Sequence, residues 1–100
     1  MELAVRVYTV IDQLPSKENF ALADQMRRSV ISIPSNIAEG QKRSGSKEVV
    51  QFSSIAFGSL AEIETQLLLA NKLYNINIEK QLDLAAEVGK MLAALIKSLR

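Results

Sequence analysis

The chain has 100 residues, 48% of them apolar, so it is one domain with a packed core rather than a disordered segment. It contains no cysteine and no histidine, which excludes a disulfide frame, thiolate chemistry, a Ser-His-Asp triad and the His-containing di-iron site of ferritin-like bundles. The net charge of +1 selects no partner by itself, but residues 27–47 carry five basic side chains against the single acid Glu39.

The apolar residues are mostly Leu, Ala, Ile and Val, a mix that suits helices packed on helices. The spacing predicts a first helix over about residues 2–14, with Leu3, Val7, Val10, Ile11 and Leu14 on one face. Pro15 ends it, and Ser16 or Asn19 is the expected cap of the next. A second helix is predicted over 20–39, its core face made by Ala23, Met26, Val30, Ile33 and Ile37, with Gly40 as its stop. The basic turn "QKRSGS" follows, and Ser46 is the expected cap of a third helix over 47–73. The seam of that helix is Val49, Phe52, Ala56, Ser59, Ile63, Leu67, Ala70 and Tyr74. "YNIN" breaks the pattern. A fourth helix is predicted over 79–99 on Leu82, Ala85, Val88, Leu92, Leu95 and Leu99. Short connections favour antiparallel neighbours, so the expected fold is an all-α, up-down-up-down four-helix bundle.

Pro34 falls inside the second helix, frees the carbonyl of Val30 and is expected to kink it. The two flanks of that helix differ. One carries Gln25, Ser29, Ser32 and Asn36, whose side chains either bond back to the preceding turn or, for Ser32 and Asn36, form a polar network with Glu62 and Gln66 of the third helix. The other carries Ile31, Pro34 and Ala38, which have no place in the core and suit contact with another subunit. On the third helix, Ser54, Gly58, Ala61 and Thr65 form a stripe of small residues. They permit close packing either inside the bundle or against a second copy.

Chemistry is sparse. Glu62 and Glu64 are two positions apart and point in different directions, so they are no catalytic pair. Neither the Walker nor the dinucleotide pattern occurs. No catalytic residue, cofactor or metal is expected. The best functional candidates are Arg27, Arg28, Lys42, Arg43 and Lys47. Without aromatic stacking partners they suit phosphate contacts, salt-sensitive and independent of base sequence. The alternative is an adaptor or scaffold ring that binds protein and no nucleic acid. No apolar run approaches the roughly 20 residues of a membrane span, and the N-terminus lacks the features of a signal peptide, so a cytoplasmic protein is expected.

The motifs "SIPSNIAEG", "R-S-x-S-K-E" (Arg43 to Glu48) and "GSLAEIETQL" resemble the four-helix-bundle family named after the intervening sequences of 23S rRNA genes. The similarity covers about residues 5–75, the fourth helix matching only as an amphipathic pattern. The resemblance implies a left-handed antiparallel bundle assembled into a pentameric ring. It also implies kinship with the accessory variability determinant proteins of diversity-generating retroelements, basic pentameric bundles that bind nucleic acid and partner a reverse transcriptase. Family members carry an upstream segment of the form "L-x-V-W-x-K-A", and Met1 stands near its expected end, so the first helix reads as shortened.

Overall fold

A computed structural model describes residues 1–100 as four α-helices without a strand: α1 (Glu2–Ile11), α2 (Leu22–Gln41), α3 (Ser46–Tyr74) and α4 (Glu79–Leu99). The long axis of the molecule is 43 Å, the length that 29 residues of α3 reach at about 1.5 Å each. No helix is long and apolar enough to cross a membrane.

The helix boundaries depart from the expected ones for local reasons. α1 stops at Ile11, not at Leu14. Pro15 pushes Leu14 out of the helical region, and the chain tightens through bonds from Gln13 N–H to Val10 O and Leu14 N–H to Ile11 O, both 3.0 Å. A 3-10 turn, Ser16–Glu18, follows. α2 begins at Leu22, and Phe20 lies outside it, 91% exposed. Neither Ser16 nor Asn19 caps α2. The Glu18 carboxylate accepts the Leu22 N–H instead, at 3.3 Å.

Nor does Gly40 stop α2. It lies inside the last turn and is buried. A Cβ there would stand 3.3 Å from Phe52 Cβ and 3.8 Å from the Val49 backbone, so Gly40 lets α3 approach α2 closely. Ser46 is the first residue of α3, and Gly45 takes the cap position without a side-chain bond. α3 ends at Asn75, which adopts the left-handed conformation at φ 55°.

Between α3 and α4 the chain continues inward. Ile76 and Ile78 are both buried and close one end of the core. Asn71 donates to the Ile76 carbonyl at 3.0 Å, and Asn77 Oδ1 accepts the Glu79 N–H at 3.1 Å.

The core is the interior of the four helices. Val7, Val10, Met26, Val30, Ile63, Leu67 and Leu92 are fully buried, drawn from every helix. These positions repeat every three or four residues, which is why the apolar period locates them. α2 and α3 share the largest contact. Their touching pairs run with opposite numbering: Gly40 beside Phe52, Ser32 on Ser59, Ser29 on Gln66.

Candidate nucleic-acid interface

The basic residues fall in two separate groups. Lys42 and Arg43 sit at the turn joining α2 to α3 and Lys47 in the first turn of α3, with Glu39 and Glu48 flanking the group. Arg27 and Arg28 lie near the other end of α2. Fourteen residues of helix separate Arg28 from Lys42, about 21 Å. The five do not form one patch.

Their partners differ as well. Arg28 donates to Asp24 at 3.1 Å, and Arg43 to Glu39 at 2.6 Å, each one turn back on the same helix. Such exposed pairs contribute only a few tenths of a kcal/mol, so both guanidinium groups stay available to a stronger anion. The Arg43 guanidinium also lies 5.4 Å from the centre of the Phe52 ring, which fixes its orientation. Arg27 is engaged structurally. It donates to the Asn19 carbonyl at 2.8 Å and to Asn19 Oδ1 at 3.1 Å, tying α2 to the preceding turn. Lys42 and Lys47 are exposed and have no acidic partner.

The polar network between α2 and α3 exists with different members from those expected. Ser59 Oγ donates to Ser32 Oγ at 2.8 Å, and Gln66 Nε2 donates to Ser29 Oγ at 3.2 Å. Asn36 does not reach α3; its amide donates to the Ser32 carbonyl at 2.8 Å and to Ser32 Oγ at 3.0 Å. Glu62 is exposed and takes no part in these bonds, because hydration holds its charge at the surface. It lines a polar cleft of about 440 Å³ with Asp24, Arg28 and the serines. Gln66 is buried, and its Oε1 has no partner.

By period alone Ser59 reads as a core position and Ser29 only as part of a flank. Their adjacency across α2 and α3 needs the register of the two helices, which Gly40 sets. Sequence reasoning misses Gln81 altogether. It is buried on α4 and donates to the Arg6 carbonyl at 2.9 Å and to Thr9 Oγ1 at 3.1 Å. Its place four residues before Ala85, on the same stripe, is the signal that could have found it.

Tyr74 donates a short hydrogen bond to the Glu18 carboxylate. That bond, with the Leu22 N–H second, holds the Glu18 carboxyl below its ordinary range. The same bond raises the Tyr74 phenol. The ammonium of Lys17 lies 5.8 Å from the Tyr74 ring centre. These contacts fasten the 3-10 turn to the end of α3.

The residues expected at a subunit contact divide. Ile31 is half exposed and Ala38 exposed. Pro34 is half-buried and lines an apolar notch of about 80 Å³ with Leu3, Val30, Ile33, Val88 and Met91. The small stripe of α3 points outward: Ser54, Gly58, Ala61 and Thr65 are all exposed, which rules out close packing inside the bundle as their purpose.

No three acidic side chains converge to hold a metal ion. The fold and these contacts define a small helical bundle with a polar seam between α2 and α3 and a basic turn at one end of it. The family described as 23S rRNA-intervening sequence protein matches residues 1–97, and the chain belongs to it. The match runs past residue 75 and takes in α4 as far as Lys97. No curated protein matches the chain.

Proposed function

We propose that the chain is an antiparallel, up-down-up-down bundle, bent at Pro34, that assembles into a homo-oligomeric ring and binds RNA or DNA weakly, without sequence preference. The opposed numbering of the α2–α3 contacts supports the antiparallel arrangement. The Val30 carbonyl, deprived of a donor by Pro34, supports the bend. The family resemblance suggests five copies. The role is non-enzymatic and cytoplasmic in this reading.

The observation that carries nucleic-acid binding is the α2–α3 turn. Lys42 and Lys47 make no ion pair there, and Arg43 is held beside them by an exposed ion pair to Glu39 and by the Phe52 ring. Ammonium and guanidinium groups neutralise phosphates without reading bases. Two or three contacts per copy are weak, and repetition around a ring multiplies them.

Filter binding of a labelled RNA at low and moderate salt tests the reading. The expected result is retention at low salt that falls steeply as salt rises, with a slope of about −0.7 per single-strand phosphate contact. Lys42→Glu with Lys47→Glu is expected to abolish retention. Absence of retention at low salt, or retention by the double variant, refutes it. A second reading, a scaffold ring that binds protein alone, draws support from the apolar outward face of α3. It predicts co-purified protein and no retained nucleic acid.

A further inference from the structure

One buried polar atom has no partner within the chain. Gln66 is 8% exposed, and its Nε2 donates to Ser29 Oγ at 3.2 Å, but no donor reaches its Oε1. An amide oxygen taken out of water without a donor destabilises the fold. Buried polar atoms are almost all paired in folded proteins, so an orphan of this kind points to a group from outside the chain. The positions beside Gln66 on its own helix, Ile63, Leu67 and Ala70, are fully buried and carry no side-chain donor. A donor therefore enters from the polar side, where Gln66 lines the cleft of about 440 Å³ between α2 and α3.

The charges of the cleft select the donor. It holds two carboxylates, Asp24 and Glu62, and one guanidinium, Arg28. Arg28 is paired with Asp24 at 3.1 Å, which leaves Glu62 as the unpaired charge. Glu62 stands one turn before Gln66 on α3, so the two side chains are neighbours, with Cβ atoms about 5–6 Å apart. A water molecule satisfies Oε1 but leaves the charge of Glu62 unanswered. A divalent metal ion takes about six oxygen ligands or more, and no third carboxylate converges there. An ammonium group meets both needs, with a positive charge for Glu62 and an N–H donor for Gln66 Oε1.

The lining also limits the body of the ligand. No apolar side chain lines the cleft, so it offers neither a floor for a long alkyl chain nor an aromatic cage for a quaternary ammonium. Arg28 places one N–H on Asp24 and has others for a hydroxyl oxygen. We propose that the α2–α3 cleft binds a small hydrophilic primary ammonium ion of the amino-alcohol class, its nitrogen set between Gln66 Oε1 and the Glu62 carboxylate. The site is independent of the basic turn and of assembly.

Titration of the isotope-labelled full chain with ethanolamine, followed in amide NMR spectra near neutral pH, tests this. Choline is the control: it has the same charge and hydroxyl, but methyl groups replace every N–H donor. Ethanolamine is expected to give saturable shifts of the Gln66 side-chain amide and of the Ser29 and Glu62 backbone amides, and choline none at the same concentration. Glu62→Gln, at an exposed position, should weaken binding about tenfold through loss of one charge-assisted hydrogen bond. Gln66→Glu, which keeps the shape of the side chain and adds a charge, should tighten it. Glu87→Gln on α4, outside the cleft, should leave it unchanged. Equal shifts with choline would mean that charge alone is sensed, and no saturable shift would assign the orphan oxygen to water. Either result overturns the proposal, as does a Glu62→Gln chain that binds as tightly as the wild type.

Discussion

Gly58 and Gly40 both lie inside helices, yet alanine should act oppositely at the two. At either site the exchange gains about 0.8–1 kcal/mol of helix propensity. At Gly58 the new methyl group meets nothing within 4 Å, so the whole gain is expressed. At Gly40 it meets Phe52 Cβ at 3.3 Å and the Val49 backbone at 3.8 Å. The Val49 approach is ordinary contact, but Phe52 Cβ cannot rotate aside, because its position is fixed by the α3 backbone. Relief requires moving one helix off the other, and overpacking of that kind costs about 1–3 kcal/mol. Gly58→Ala is therefore expected to stabilise the protomer by about 1 kcal/mol. Gly40→Ala should be neutral or destabilising by up to about 2 kcal/mol. Urea unfolding followed at the helical dichroism band, at a dilution where the chain is monomeric, reads both. The melting temperature should rise by about 4–8 °C for Gly58→Ala. Equal stabilisation by the two variants would refute the reasoning, since it would mean that α2 and α3 are not held in contact at Gly40.

Three further outcomes follow from the contacts described. Ser59→Ala should cost about 1 kcal/mol in urea unfolding, Ser32→Ala somewhat more because its hydroxyl also accepts from Asn36, and the double variant little more than Ser32→Ala alone, because the two serines share one bond. Tyr74→Phe should flatten the acid limb of the stability–pH curve. Glu18 has a lowered carboxyl in the folded chain, so its contribution is full above its unfolded value of 4.5 and is lost as pH falls through the lower folded value. An acid limb unchanged by Tyr74→Phe would remove the Tyr74 bond as its cause. Pro34→Ala restores a donor to the Val30 carbonyl and should stabilise the protomer by up to about 3 kcal/mol, and a lower denaturation midpoint would contradict this.

The core is legible in the sequence because burial repeats with the period of the helix. Met26, Val30 and Ile33, or Ile63, Leu67 and Ala70, need no knowledge of any other helix to be placed inward. What escapes depends on neighbours. Glu18 caps α2 in place of Ser16 or Asn19 because the 3-10 turn swings its carboxylate onto the Leu22 N–H. Gly40 reads as a stop until Phe52 is brought against it. Ile76 and Ile78 sit in a segment without helical period and are buried by the closing of the bundle's end. The basic residues are legible as charges, but summing them along the chain conceals the 21 Å or so of helix between the two groups. Arg27 cannot be told from Lys42 until Asn19 is seen beside it.

The two buried glutamines divide the molecule in a way that bears on how it deforms. Gln66 pins α3 to α2, and Gln81 pins α4 to α1. Directional bonds of this kind resist sliding. The remaining seams, α1 with α2 and α3 with α4, rest mainly on apolar contacts, which change little in energy when surfaces shift by a fraction of a residue. The soft coordinate of the bundle is thus a shear between two stiff helix pairs. That gives the bundle one preferred direction in which to yield under load.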